Sequence, residues 1–123
     1  MRAEIRNITA NDPLLDCCRS DLVEGSRDIW AGFWDGELVG LWGVVPGSLM
    51  SETAYIWSYI LPSVNKCKKT FLRVTKFWVT SMLEEYTTLC GLTNCKTVFI
   101  KHLGAEFHDG IDGYAAFTIR AHQ

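Results

Sequence analysis

Asp35 and Gly36 constrain the fold of this chain more than any other feature of its sequence. They separate two apolar runs, 30–34 and 37–45, and an Asp-Gly pair supplies the positive φ angles of a two-residue type I′ turn. The sequence therefore predicts an antiparallel β-hairpin. Glycines in the arms of a hairpin indicate bulges or close approaches of the backbone. The arms contain Gly32, Gly40 and Gly43.

The segment before the hairpin predicts one strand and one helix. Residues 3–8 alternate well enough for a short strand. An Asn11 or Asp12 cap followed by Pro13 is typical of a helix start, and Gly25 is a suitable stop. The apolar residues at helical spacing in between are Leu15, Cys18 and Leu22.

The segment after the hairpin predicts a buried strand and a long helix. Residues 54–61 are rich in aromatic and β-branched side chains, and Pro62 ends the run. Ser63 or Asn65 can then cap a helix that extends to about Tyr86. One apolar stripe on this helix predicts that it packs on a sheet. The stripe consists of Phe71, Val74, Trp78 and Met82.

The rest of the chain predicts a strand at 87–92, a helix capped by Thr93 or Asn94 and ended by Gly104, and strands at 105–107 and 114–119. The complete order is β-α-β-β-β-α-β-α-β-β. Helices alternating with strands predict an α/β fold with a mixed sheet covered by helices. At 123 residues, the chain fits one domain over residues 1–123.

Composition and charge disfavour several functions. The formal charge is −2, which gives no global attraction to nucleic acid or an anionic membrane. No apolar run reaches the roughly 20 residues of a membrane span, and no signal-peptide pattern is present, so we expect a soluble intracellular protein. The five cysteines form no CxxC pair and the three histidines are scattered. We therefore expect reduced thiols and no metal site.

The element order and two stretches resemble the GNAT superfamily of acyl-CoA N-acyltransferases. Ile60-Leu61-Pro62 before a long helix resembles the family's fourth strand and coenzyme-binding helix, and 99–107 resembles its late helix. The run 68–107 is also similar to small GNAT-like proteins of short-tailed phages, the internal virion protein A type. That resemblance implies a phage protein in the cytoplasm of a host bacterium or in the virion, acting in virion assembly or host takeover by binding a phage or host protein.

The resemblance implies acetyl-CoA as the candidate cofactor. Family members bind its pyrophosphate at the start of the long helix with an R/Q-x-x-G-x-G/A loop, because unpaired N–H groups attract anions there. Here 64–70 contains no glycine but has three lysines. They form either an anion site or a solvated basic face. The candidate coenzyme-binding residues are Ile60, Leu61, Lys66, Lys68, Lys69 and Asn94.

For catalysis, the resemblance implies a glutamate near the fourth strand as base, and Glu52 is the candidate. The family's tyrosine acid corresponds to Ile100, which cannot donate a proton. Two hypotheses follow. One is a protein-binding member of this fold with a degenerate acyl-CoA site. The other is an active acetyl-CoA-dependent N-acetyltransferase that modifies a protein or a small-molecule amine.

The five tryptophans offer a candidate partner surface. We expect Trp57 and Trp78 in the core. Trp30 and Trp34 lie on one face of the hairpin by alternation, and they either pack in the core or form an apolar patch for a protein partner. The basic residues cluster on the long helix, away in sequence from these aromatic residues, which disfavours nucleic-acid binding.

Overall fold

The computed structural model describes residues 3–18, 20–46, 52–94, 104–111 and 114–120. In these ranges the chain forms seven strands, two α-helices and two short 3-10 turns. Their bounds are β1 (Ala3–Ile8), a first 3-10 turn (Pro13–Cys17), α1 (Ser20–Gly25), β2 (Asp28–Trp34), β3 (Glu37–Pro46), β4 (Thr53–Ile60), a second 3-10 turn (Pro62–Lys66), α2 (Lys68–Glu85), β5 (Thr88–Thr93), β6 (Glu106–Ile111) and β7 (Tyr114–Arg120).

The strands form one mixed sheet in the order β1-β2-β3-β4-β5-β7-β6. Only the β4–β5 pair is parallel among these strands, and α2 makes the crossover between its two members. The predicted α/β class with a mixed sheet is confirmed. Within the described ranges, no helix combines the length and apolar character needed to cross a bilayer.

The hairpin predicted from Asp35-Gly36 is confirmed as β2 and β3. Asp35 has a φ of 50° and Gly36 a φ of 83°, and the turn pairs Trp34 with Glu37. The register shifts between Gly32 and Phe33, which is the bulge that a glycine in a strand indicates.

The helix α2 covers one face of the sheet, as its apolar stripe predicts. Its buried Val79 and Met82 pack with sheet residues in one core cluster. Phe71 and Trp78 are partly buried against the same cluster. The sheet residues of this face include Ile56, Leu89 and Phe117.

The first 3-10 turn and α1 cover the opposite face over β2, β3 and β4. Leu15 and Val23 pack there with Trp57, which is 1% exposed. The Trp57 indole Nε1 donates a hydrogen bond to Ser26 Oγ at 2.8 Å. A Cβ at Gly43 would lie 2.6 Å from that same nitrogen, so Gly43 makes the close backbone approach that the sequence predicted.

The prediction of one helix from Pro13 to Gly25 is wrong. Asp12 does cap the segment, since its Oδ1 accepts a hydrogen bond from the Leu14 N–H at 3.0 Å. The turn then ends at Cys18, whose backbone is extended with φ −97° and ψ 159°. The i→i+3 bonds of a 3-10 turn rarely continue beyond one or two turns, and α1 is a separate element.

The start of α2 also differs from the prediction. The 3-10 turn Pro62–Lys66 comes first, and neither Ser63 nor Asn65 caps the helix. Ser63 Oγ instead donates to the Leu38 carbonyl at 2.6 Å. The predicted helix between Asn94 and Gly104 lies outside the described residues. Gly104 itself has a φ of 81°, the left-handed conformation of a helix-ending glycine.

Candidate functional site

The backbone pairing of β4 and β5 ends at a junction formed by Ile60 and Asn94. The parallel ladder runs from Thr53–Thr88 to Ser58–Thr93. Beyond it, the Asn94 side chain takes the place of a strand backbone: its Oδ1 accepts from the Ile60 N–H at 2.7 Å, and its Nδ2 donates to the Ile60 carbonyl at 2.8 Å.

A buried polar pair anchors the last rung of this ladder. The Ser58 hydroxyl donates to Thr93 Oγ1 at 2.9 Å, and Thr93 has no exposed surface. The prediction that Thr93 caps a helix therefore does not fit its position, because Thr93 is the last residue of β5. This bond satisfies the buried Thr93 hydroxyl at the last rung of the ladder, as buried polar groups require.

The amino end of α2 follows this junction closely in the chain. No side chain caps α2, and its first turn contains no acidic residue. The N–H groups of that turn therefore keep their partial positive charge for an outside anion. Lys68 and Lys69 lie exposed in the same turn. Beneath them Val64 and Cys67 are buried, and burial raises the pKa of the Cys67 thiol.

The third lysine, Lys66, is held by a carboxylate. Its Nζ donates to Glu37 Oε1 at 2.7 Å, and this hydrogen bond and the carboxylate charge raise the pKa of Lys66. Among the side chains that the structure describes, none forms an ion pair with Lys68 or Lys69. Their charges are the ones available to a phosphate.

The opposite face of the sheet carries a groove of about 450 Å³. Strand register aligns Tyr55, Cys90 and Thr118 in one row across β4, β5 and β7. Asp21 of α1 lines the groove on one side and His108 of β6 on the other. The sequence analysis missed this groove, because only the strand order and register bring these residues together.

The imidazole of His108, which lines the groove, contacts a hydroxyl group of β7. His108 Nε2 lies 2.9 Å from Thr118 Oγ1, which holds the imidazole against β7. This is the only histidine in the described ranges; His102 and His122 lie outside them. An imidazole is the most common general acid or base in enzymes.

The structure brings most predicted coenzyme residues together but leaves Glu52 apart. Ile60, Leu61 and Asn94 lie at the end of β4, and α2 begins soon after. Glu52 precedes the other end of β4, where its carbonyl accepts from the Thr87 N–H at 2.8 Å. At about 3.3 Å per strand residue, Glu52 lies roughly 25 Å from Ile60. Ile100, at the predicted acid position, lies outside the described residues.

Trp30 and Trp34 share one face of the hairpin, as predicted, but that face is the one beneath α2. Both pack partly buried against the core cluster, and the Trp30 and Trp78 rings meet edge to face with centroids 5.5 Å apart. They do not form the exposed patch on which the partner hypothesis relied. A partner role for them remains a prediction.

The described residues contain no group of three or more His, Cys, Asp or Glu side chains placed to hold a metal ion. Four cysteines in the described ranges are free thiols, and Cys95 lies outside those ranges. The polar groups at the junction and at the start of α2 are the Asn94 carboxamide, backbone amides, lysine ammonium groups and hydroxyls.

Comparison with solved structures decides the fold. An acetyltransferase from Bacillus subtilis in complex with CoA superposes with a TM-score of 0.66 at 10% identity, covering 98% of this chain and 100% of its own. An IAA acetyltransferase from Bacillus cereus gives 0.65 at 12% identity, with coverage of 98% and 100%. The chain has the GNAT fold. A GNAT family acetyltransferase from Elizabethkingia anophelis with acetyl-CoA bound gives 0.60 at 13% identity, covering 97% and 98%.

The GNAT fold predicted from the element order is thus confirmed over nearly the whole chain. No family model and no curated protein sequence matches the chain. At these identities the likeness establishes the GNAT fold and no activity. The narrower resemblance to phage virion proteins remains a prediction.

Proposed function

We propose that this chain binds acyl-coenzyme A and transfers its acyl group to an amine. The observation that carries the proposal is the junction at Ile60 and Asn94, next to the uncapped amino end of α2. The backbone pairing of β4 and β5 stops there, and anion-attracting groups begin within the next few residues of the chain. The GNAT fold of the chain supports this function.

The amino end of α2 suits the phosphates of the coenzyme. The N–H groups of its first turn donate to phosphate oxygens, and the Lys68 and Lys69 ammonium groups add two positive charges. The stretch 64–70 has no glycine, so side chains keep the phosphates further from the backbone than a glycine loop does. Lysine acts here as a point charge, which tolerates that distance.

Transfer requires an acceptor amine on the side that the thioester faces. Acetyl-coenzyme A supplies an activated acyl carbon when it is bound. The amine nitrogen bonds to that carbon, the carbon–sulfur bond breaks, one proton leaves the nitrogen and one reaches the departing sulfur. The groove opposite α2 holds the amine. His108 lines this groove and Glu52 does not, which favours His108 as the residue that accepts the amine proton, directly or through water.

Calorimetric titration with acetyl-CoA tests the coenzyme site. We expect saturable binding that weakens at least 10-fold in the K68A/K69A double variant. K76A is the matched control, because Lys76 is an exposed lysine of the same helix, about 12 Å beyond Lys68. An affinity loss in K76A similar to that of the double variant, or no heat at millimolar coenzyme, would overturn the proposal.

An assay of thiol release from acetyl-CoA with an amine present tests the transfer step. We expect H108Q to lower kcat/KM at least 10-fold and E52Q to leave it within about 2-fold, since His108 lines the groove and Glu52 does not. The reverse result would make Glu52 the base and would require another position for the acceptor.

A second candidate is the protein-binding function in virion assembly or host takeover, with a degenerate coenzyme site. Two observations favour it: the stretch 64–70 has no glycine, and Lys66 is already paired with Glu37. If this is the function, we expect the folded protein to give no heat on calorimetric titration with millimolar acetyl-CoA. It also requires the intact chain to be found by mass spectrometry in purified phage particles or in complexes from infected cells.

A further inference from the structure

We infer that Thr118 is the positioning residue for the imidazole of His108, and that Nδ1 of this ring is the nitrogen that takes the proton of the acceptor amine. The inference rests on the proposed function for the role of His108 as the base. It adds which of the two ring nitrogens reacts and which neighbouring side chain fixes that choice.

Strand alternation places both side chains on the groove side of the sheet. Phe117 is buried in the core cluster under α2, so Thr118 is turned to the opposite face. On β6, Phe107 packs against the same cluster, and His108 is turned to the groove in the same way. The two side chains meet across the paired strands, since Thr118 pairs with Glu106, two residues before His108.

The contact at Nε2 decides which ring nitrogen faces a ligand. Nε2 of His108 lies 2.9 Å from Thr118 Oγ1, the usual separation for an N–H···O hydrogen bond. In the part of the chain that the structure describes, the ring forms this hydrogen bond and no other. The exposed imidazole is therefore held through Nε2. The hydrogen bond of one ring nitrogen sets the role of the other, which leaves Nδ1 for the amine.

The chemistry of a base assigns the proton of the neutral ring to Nε2. A base needs a bare nitrogen facing the amine, so Nδ1 carries the lone pair and the Nε2–H donates to Thr118 Oγ1. As the amine nitrogen bonds to the acyl carbon, its proton adds to Nδ1 and the ring becomes an imidazolium. Both nitrogens of an imidazolium are donors. The bond from Nε2–H to Thr118 therefore stays in place throughout the step, and the ring does not need to rotate.

The ring is held by a neutral group, although charged groups lie nearby. Beside it on β6 and β7, Glu106 and Arg120 form an ion pair at 3.1 Å. The other titratable side chains that line the groove are Tyr55 of β4, Cys90 of β5 and Asp21 of α1, and Asp21 has an interaction of its own. Removing the Thr118 hydroxyl therefore removes one hydrogen bond of the ring and leaves every charge in place.

The tautomer of His108 can be measured without coenzyme. Nitrogen-15 NMR of the full chain at about pH 8.5, above the ordinary titration range of an imidazole, distinguishes a protonated ring nitrogen from a bare one. The H108Q spectrum identifies the His108 signals by their absence. We expect the proton on Nε2, with contacts from the two ring C–H groups to Thr118. A neutral ring with its proton on Nδ1 would overturn the inference, because that nitrogen could not accept another proton.

Two substitutions separate positioning from a merely structural role. T118V keeps the branched shape without the hydroxyl, and T118S keeps the hydroxyl. The assay is acetyl transfer to 2-phenylethylamine, whose apolar body suits the walls formed by Leu22, Val45 and Leu92. We expect T118V to lower kcat about 10-fold with KM for the amine within about 2-fold, and T118S to retain about half of the wild-type kcat. T80V is the control, because Thr80 is exposed on α2, on the other side of the sheet.

Three kinetic results would contradict the inference. These are full activity in T118V, equal losses in T118V and T118S, and a higher KM in T118V with kcat unchanged, which would place the hydroxyl against the amine instead of the ring. Urea unfolding shows whether T118V is folded. If it is not, the wild-type tautomer and the activity of T118S decide.

The outcome also separates this inference from the proposed function. If acetyl-CoA gives no heat, the proposed function fails together with the catalytic role of Nδ1, while the NMR measurement still decides whether Thr118 fixes the ring. If acetyl transfer depends on His108 but T118V keeps the wild-type kcat, the inference fails alone.

Discussion

The Asn94 carboxamide satisfies both backbone hydrogen-bonding groups of Ile60, accepting from its N–H at 2.7 Å and donating to its carbonyl at 2.8 Å. A side-chain amide thus imitates one more residue of β5 at the point where the backbone ladder with β4 stops. The arrangement needs one donor and one acceptor in a fixed geometry, and only Asn and Gln side chains carry both on a planar amide.

This geometry predicts the effect of substituting Asn94. In N94D the side chain still accepts from the Ile60 N–H, but a carboxylate oxygen then faces the Ile60 carbonyl. We expect the free energy of unfolding to fall by about 1–3 kcal/mol in N94D and in N94A, since each leaves a part-buried backbone group unsatisfied. Urea unfolding measures this effect. Wild-type stability in N94D would show that the carboxamide pairing is dispensable.

The pair of Lys66 and Glu37 predicts a gain of coenzyme affinity on substitution. In E37Q the Lys66 ammonium loses its carboxylate partner at 2.7 Å, so its charge becomes available near the amino end of α2. We expect acetyl-CoA to bind about 2- to 3-fold more tightly at low salt, and the gain to disappear at high salt. E85Q is the control, because it also removes an ion-pair carboxylate, but at the other end of α2. An equal gain of affinity in E85Q would show that coenzyme binding responds to the net charge of the protein and not to the release of Lys66.

The space around Gly91 predicts a strong destabilisation on adding one methyl group. A Cβ there would overlap the Phe117 ring at Cζ and would lie 2.8 Å from the Ile56 carbonyl oxygen. The oxygen belongs to the paired strand β4 and cannot move aside cheaply. We expect G91A to lower the free energy of unfolding by about 1–3 kcal/mol, as measured by urea unfolding. G25A should be close to neutral, since its Cβ would meet Val45 at an ordinary 3.6 Å.

The thiol of Cys18 predicts a loss of stability at alkaline pH. Burial, and then the adjacent Cys17, raise its pKa from 9.0 to about 12. Above pH 9 the unfolded chain therefore releases a proton that the folded chain retains, and the free energy of unfolding falls as pH rises toward 12. Urea unfolding at pH 8, 9 and 10 should show a steeper fall in the wild type than in C18A. Parallel curves for the two proteins would contradict this assignment.

The sequence predicted those elements whose signals are local. Asp35-Gly36 fixes a turn by its own φ angles, and the stripe from Phe71 to Met82 repeats within one helix. The end of β4 was harder to predict. Pro62 marked it correctly, but the 3-10 turn that follows depends on Val64 and Cys67 packing into the core, which is a tertiary effect that local pattern does not contain.

The site was predicted less completely than the fold for the same reason. Lys68 and Lys69 were predicted as candidate phosphate-binding residues from their place at a helix start, and they lie in the first turn of α2. The pairing of Lys66 with Glu37 joins residues 29 positions apart, and the row of Tyr55, Cys90 and Thr118 exists only once three strands are in register. The alternation of side chains along each strand could assign these three residues to one face of the sheet, but it could not show that they are neighbours on that face.

The position of β7 in the sheet has a consequence for how the chain folds. Strands β1 to β4 pair with their neighbours in sequence, whereas β7 lies between β5 and β6. The first four strands can assemble as soon as they leave the ribosome, because their contacts are short in sequence. Strand β6 has no bonded neighbour except β7 among the described strands, so it stays detached until β7 joins it to the rest. Slow translation of the last part of the message would therefore prolong a state in which β1 to β5 are paired and β5 is an unpaired edge strand. We expect the chain to aggregate most readily in that state.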